Sequence, residues 1–232
     1  MNELQSLLIG IVQGITEFFP ISSSGHLVML ENAWHLDIHQ LFFFNVLVHL
    51  ATLFAICFHY RKDITMHLKG LYLPKSASRQ LLSYIIIATI PAAVLGVLFE
   101  DQIQSMFSTS SAVASVMLVM GALFICDKNK TRNQALSGIK ALLIGFAQAL
   151  ALIPGVSRSG ATLFVATRLG MDRVKAAQFS FFMAIPVILG ATILSLLKMP
   201  EQMISSGALA IYSIGFVSAL ITGIFAIRYL IQ

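Results

Sequence analysis

Charge is what this chain has least of. Only 11% of its 232 residues are charged, against about 25% in an ordinary soluble domain. Too little polar surface remains to coat a soluble globule, which argues against a soluble all-helical domain. With 57% hydrophobic residues and a mean hydropathy of +0.85, most of the chain has lipid as its solvent. Cysteine is scarce too. Cys57 and Cys126 lie in or beside apolar runs and form neither a spaced disulfide framework nor a metal pair, so they read as packing residues. A leader is also missing: "MNELQSLLIGIVQG" has no positive n-region and no small-residue cleavage site, and it reads as part of the mature fold. The net charge of +5 comes without a basic patch interleaved with aromatics, which excludes nucleic acid as a partner. The cations sit in short loops between apolar runs, where they orient a membrane protein.

What is present is long apolar sequence. Five segments, at 41–60, 80–99, 110–126, 176–197 and 207–230, are long enough to cross a core of about 30 Å as helices. Pro91 and Pro186 lie inside two of them, where a kink is expected. Two other runs differ. Residues 4–19 reach Pro20, and residues 141–153 reach Pro154; at about 1.5 Å per residue the second is only about 20 Å long, too short to cross. Each is followed by a Ser/Gly-rich break and another short apolar run. That pattern predicts two re-entrant helical hairpins, 4–30 and 141–167, whose broken backbone must face protein or a wet cavity. The expected fold is an all-α polytopic membrane protein in a single domain.

Loop charge supplies the topology. Arg61, Lys62, Lys69, Lys75 and Arg79 lie in the loop 61–79, and Lys128, Lys130, Arg132 and Lys140 in the loop 127–140. Two spans separate these loops, so they share a side, and the positive-inside rule makes it cytoplasmic. Loops 31–40 and 100–109 carry Glu31, Asp37, Glu100 and Asp101 without Lys or Arg, as the opposite side requires. With 141–167 re-entrant, Arg168, Arg173, Lys175 and Arg228 also fall on the cytoplasmic side.

The two hairpins resemble each other. At an offset of 135 residues, "LLIGIVQGITEFFPISSSGH" and "LLIGFAQALALIPGVSRSGA" pair Gly10 with Gly145, Gln13 with Gln148, Ser22 with Ser157, Ser24 with Ser159 and Gly25 with Gly160. A second echo, "ATIPAAVLG" and "MAIPVILG", follows in each half. Repeat one therefore covers 1–127 and repeat two 137–232. Three spans lie between the hairpins, so the copies are expected to be inverted, with their broken elements meeting near the midplane.

Charge at that depth is concentrated. The first hairpin has one acid, Glu17, and the second has one base, Arg158. Intramembrane charges cost about 2.5 kcal/mol or more and are normally paired and functional. Ser22, Ser23 and Ser24 precede a helix expected to start near His26, and Ser157 and Ser159 one expected near Ala161. Hydroxyls and free N–H groups at helix N-termini suit a phosphate. Capping explains one serine of each set, not the sets. Gly25 and Gly160 allow close backbone approach, and the Arg158 fork matches two phosphoryl oxygens. Diphosphate contacts are expected from Ser22, Ser24, Gly25, Ser157, Ser159, Gly160 and Thr162. A carboxylate would repel phosphate unless it acts as a base or holds a cation. Gln13 and Glu17, one turn apart, can offer oxygens to one hard divalent ion arriving with substrate. His26 can orient or deprotonate water or a serine hydroxyl. His49 reads as a satisfied core histidine.

At "QGITEFFPISSSGH" and "PGVSRSG" the chain resembles the undecaprenyl-pyrophosphate phosphatases, membrane enzymes associated with bacitracin resistance. The resemblance extends over nearly the whole chain. It implies removal of the terminal phosphate from a polyprenyl diphosphate, so that the lipid carrier of cell-wall synthesis is recycled, with Mg2+ or Ca2+. It also implies a bacterial inner-membrane location and a site opening to the periplasm. By motif, Glu17 and Gln13 fall on the acidic stretch, Ser23 on the nucleophile position, His26 on the histidine and Arg158 on the essential arginine. Serine, histidine and metal-bound water all remain open as the attacking group. Two departures stand out. Gln13 is the neutral option at the first acidic position, and the family ends with one helix more. The expected C-terminus is therefore cytoplasmic, and a homodimer would supply the missing surface. The rival reading is a transporter or flippase for a phosphorylated polyprenyl lipid, which needs a phosphate site but no nucleophile or base.

Overall fold

The computed structural model describes residues 1–36, 38–106, 109–126, 133–198 and 206–231. Asp37, Lys128, Lys130 and Arg132, used in the loop-charge argument, lie outside the described residues. All regular structure among the described residues is helical. The first hairpin is α1 (Glu3–Thr16) and α2 (Ser23–Ala33), followed by the long α3 (Ile38–His59). Then come α4 (Arg61–Gly70), α5 (Ala77–Leu98), α6 (Glu100–Met106) and α7 (Ser110–Ile125). The second hairpin is α8 (Gly138–Leu150) and α9 (Arg158–Arg168), followed by α10 (Arg173–Leu197) and α11 (Ser206–Ile231).

Local chemistry explains where these helices begin. Asn2 accepts from the Gln5 N–H while the Gln5 side chain takes the Asn2 N–H, a reciprocal cap that starts α1. Ser76, Ser137 and Asp172 also cap α5, α8 and α10, each side chain accepting from a first-turn N–H. Both α5 and α10 run on as single helices through Pro91 and Pro186.

Four helical stretches are long and apolar enough to cross a membrane: Leu41–His59, Ala77–Leu98, Arg173–Leu197 and Ala208–Leu230. The protein is therefore a multi-pass membrane protein by composition and length. The fifth expected span, 110–126, is occupied by α7, a shorter apolar helix of 16 residues. Both hairpins take the expected helix–break–helix form, with arms of 14, 11, 13 and 11 residues, each too short to cross alone. Two expected loops hold helices, α4 and α6. Glu31, read from sequence as a loop acid, lies on α2 and is fully buried.

The hairpins dock by close backbone contact. Helix α1 packs chiefly on α11, and α8 on α5, so each hairpin leans on a helix from the other half of the chain. A Cβ at Gly10 would sit 2.4 Å from the Gly215 carbonyl oxygen, and one at Gly14 2.5 Å from that of Ala219. At Gly145 it would sit 2.5 Å from the Ala88 oxygen. Small residues thus replace side-chain interdigitation, the usual device where lipid provides no hydrophobic drive between helices. Elsewhere the core is conventional. Phe18, Ile56, Phe181, Phe182 and Ile227 pack together around α3, α10 and α11. Val97, Leu118 and Phe225 point outward and are exposed, as lipid-facing residues can be.

Candidate active site

The two breaks meet. Glu17 caps the C-terminus of α1, its N–H bonded to the Gln13 carbonyl at 3.0 Å. Phe18 next to it is buried and meets the Phe181 ring edge-on at 5.7 Å, which fixes the chain as it leaves the helix. The Glu17 side chain is 4% exposed and bonded on both oxygens. Arg158 Nη2 donates to Oε1. Ser23 Oγ donates to Oε2 at 2.6 Å, and Gln13 Nε2 donates to the same oxygen at 3.0 Å. His49 Nε2 stands 3.6 Å from Oε2. One carboxylate therefore gathers groups from α1, α2, α3 and α9.

Those contacts leave two buried valences open. Arg158 Nη1 and Gln13 Oε1 are buried without a hydrogen-bond partner. A buried unsatisfied donor costs about 1–3 kcal/mol, so a guanidinium held with one arm on Glu17 and the other unused is prepared for an acceptor. Phosphoryl oxygens are acceptors only, and a planar fork is the group that binds them best.

The serines divide their work more finely than the sequence suggested. Helix α2 begins at Ser23, not near His26, and α9 at Arg158, not near Ala161. The reason is capping: Ser22 Oγ accepts from the Gly25 N–H at 3.2 Å, and Ser157 Oγ from the Gly160 N–H at 3.1 Å. These are equivalent bonds at the 135-residue offset. Ser22 adopts φ 64°, a costly left-handed conformation for a non-glycine, directly before the hydroxyl that reaches Glu17. Ser159 Oγ donates to the Phe19 carbonyl at 3.0 Å and so ties the second hairpin to the first. Thr162, expected at the diphosphate, is fully buried; its hydroxyl is engaged by the Arg158 carbonyl at 2.8 Å and by Ser180 at 2.6 Å. Of the serines, Ser23 and Ser24 keep partly exposed side chains.

Gly25 and Gly160 also have a packing role. A Cβ on them would lie 2.5 Å from Met117 Sδ and 2.6 Å from Phe124 Cζ, both on α7. Close approach is real here, and the structure shows it toward α7.

The histidines are redistributed as well. His26 Nδ1 bonds to the Ser22 carbonyl at 2.8 Å, and its half-buried ring does not join the Glu17 cluster. His49 does join it, while its Nδ1 bonds to the Asn45 carbonyl at 2.7 Å. A carbonyl only accepts, so Nδ1 carries the hydrogen in both rings. His49, expected as a satisfied core histidine, instead stands partly exposed beside the Glu17 carboxylate, and an ionisable group inside an apolar span is a functional candidate by default.

The donor set bears on a metal. Gln13 Oε1 is an orphaned hard oxygen one turn before the Glu17 carboxylate, the kind of donor Mg2+ and Ca2+ take. Among the described residues no three His, Cys, Asp or Glu side chains cluster to hold an ion. Two protein oxygens alone do not complete the shell of such an ion.

Fold and site together define a polytopic membrane protein with a buried acid–guanidinium–hydroxyl centre. The chain belongs to the BacA family, described as bacitracin resistance protein BacA, which it matches over residues 6–232. It is 38% identical over 237 residues to a Moorella thermoacetica protein named undecaprenyl-diphosphatase, covering 100% of this chain and 89% of that one. A protein of the same name from Thermosipho africanus is 43% identical over 223 residues, covering 94% and 89%. Undecaprenyl-diphosphatase 1 of Burkholderia cenocepacia is 34% identical over 238 residues, covering 98% and 86%.

Proposed function

We propose that this protein is an integral membrane phosphatase that hydrolyses undecaprenyl diphosphate to the monophosphate and phosphate. The observation that carries the reading is the Glu17 carboxylate, which accepts the Ser23 hydroxyl at 2.6 Å and the Arg158 guanidinium on its other oxygen. A hydroxyl bonded to a carboxylate is an activated nucleophile. A guanidinium with a free buried arm stabilises charge on a transferred phosphoryl group. A carrier for the same lipid would need the second feature and not the first.

In the proposed reaction Ser23 Oγ bonds to the terminal phosphorus and passes its proton to Glu17. The bond from that phosphorus to the bridging oxygen breaks, and the lipid monophosphate leaves with the bond's electrons. Water then attacks the phosphoserine, His26 accepting the water's proton through Nε2. Ser23 Oγ leaves and recovers the proton held by Glu17. Arg158 Nη1 and the first-turn N–H groups of α2 and α9 hold the phosphoryl oxygens. Glu17 and Gln13 Oε1 would hold a divalent cation, Mg2+ or Ca2+, which when bound would offset the charge of the diphosphate. On the same proposal the hairpins enter the inner membrane from opposite faces, the site opens to the periplasm, and the C-terminus is cytoplasmic.

The test is phosphate release from farnesyl or undecaprenyl diphosphate by purified protein in detergent. Wild type should release phosphate with Mg2+ and lose that activity with chelator. Ser23→Ala should lower kcat by roughly 10^3-fold or more, since its contribution is that of the nucleophile. Absence of release by wild type, together with lipid transfer in vesicles, would establish the carrier.

A further inference from the structure

Away from the hairpins, at the end of α3, the chain turns into α4 and then into α5. These elements border an open surface cavity of about 930 Å³ lined by Arg61, Lys62 and Lys69 with Met66, Leu73 and Ser76 among its other walls. Three cations line it and no acid does. Asp63, on the same helix, lies outside the lining and is reached by Gln178 Nε2 at 3.5 Å. Lys62 and Lys69 have no ion-pair partner among the described residues. Arg61 is positioned by a bond to the Phe58 carbonyl at 2.8 Å and lies over the Phe58 ring at 4.8 Å. No acid pairs with it among the described residues.

The walls are built, not loose. Ser76 Oγ donates to the Gly70 carbonyl and Arg79 Nε to the Leu71 carbonyl, both at 2.7 Å, while His67 Nδ1 meets Ser78 Oγ at 3.2 Å. The rim is apolar and exposed: Met66 is 56%, Leu73 62% and Tyr72 88% accessible. Two membrane spans end at this point, so the cavity lies at the lipid–water boundary, where an aromatic and exposed aliphatics meet the top of the acyl chains.

We propose that this cavity is a binding site for the phosphodiester headgroup of an anionic phospholipid. Lys62, Lys69 and Arg61 contact the phosphate, and Met66 and Leu73 the start of its acyl chains. The apolar rim favours a lipid over a free phosphate. The proposal is independent of the chemistry assigned to Glu17 and Ser23.

The experiment is displacement of a fluorescent phosphatidylglycerol from full-length protein in neutral detergent micelles. Phosphatidylglycerol should compete and phosphatidylcholine should not. With each surface cation acting as it does at an anionic membrane, K62Q/K69Q should weaken competition about 30-fold. Lys198→Gln, a cation beyond the opposite end of α10 that pairs with Glu100, should leave it unchanged. Phosphate release by K62Q/K69Q should match wild type and so report an intact fold. Should that double variant fail to fold, wild-type affinity across a salt series decides instead: it must fall as salt rises. Equal competition by phosphatidylcholine, an unaffected K62Q/K69Q protein, or salt-insensitive binding overturns the proposal. Displacement of the probe by inorganic phosphate as effective as by phosphatidylglycerol overturns the commitment to lipid.

Discussion

Replacing Arg158 by lysine is the sharpest test of the centre. The guanidinium gives Nη2 to Glu17 and leaves Nη1 buried and unpartnered. Lysine keeps the positive charge but has one nitrogen. It can hold Glu17 or a phosphoryl oxygen, not both in the same geometry. Removing one preorganised donor from a transition-state charge costs about 10^2–10^3 in kcat, or about 2.7–4 kcal/mol. Arg158→Ala would be harder to interpret, because it strips the counter-ion from a carboxylate that is 4% exposed, and breaking a buried pair costs about 3–5 kcal/mol of stability. The lysine variant retains the pair and should unfold near the wild-type temperature. Its kcat and KM for farnesyl diphosphate, measured beside its thermal unfolding, separate the two effects. We expect kcat to fall about 100-fold or more with stability retained. A kcat within about threefold of wild type would refute a bidentate role for this arginine.

Three further outcomes are expected. His49→Gln removes an imidazole 3.6 Å from Glu17 that is 27% exposed; such a partly solvated contact is worth about 1 kcal/mol or less, so kcat/KM should fall about fivefold, and no change would place His49 outside the centre. Gly14→Ala sets a Cβ 2.5 Å from the Ala219 carbonyl oxygen and should destabilise by about 1–3 kcal/mol in thermal unfolding. Gly190→Ala meets nothing within 4 Å and should not; equal effects would mean that α1 does not dock on α11 as described. Glu31→Gln removes a fully buried carboxyl beside Asn45 whose two oxygens have no hydrogen bond of normal geometry among the described residues; burying an unpaired charge is costly, so the variant should unfold at the same or a higher temperature. A marked drop would reveal a partner for that acid.

Much of the hairpin design is legible in local sequence. Pro20 and Pro154 end apolar runs too short to cross, and the 135-residue echo pairs Ser22 with Ser157, which the structure shows as equivalent caps. The partners of a side chain are less legible, because they depend on which elements come to lie beside it. His49 lies 32 positions after Glu17 in the chain, and only the packing of α3 brings its ring to the carboxylate. The glycines behave likewise. Gly25 and Gly160 look like openings for a ligand until α7 is placed against them. The charges of α4 suit a loop in the sequence, yet they form a helix whose cations line the basic cavity.

By itself the sequence determined the solvent, the broken hairpins, and the acid and guanidinium at their breaks that had to find each other. Those follow from composition, chain length against bilayer thickness, and the cost of an unpaired charge in lipid. Tertiary structure decided which hydroxyl reaches Glu17, which histidine joins it, and which serines are consumed as caps and ties. A hydrogen bond depends on tenths of an ångström and on angle, and helices from both halves of the chain must pack before those distances exist.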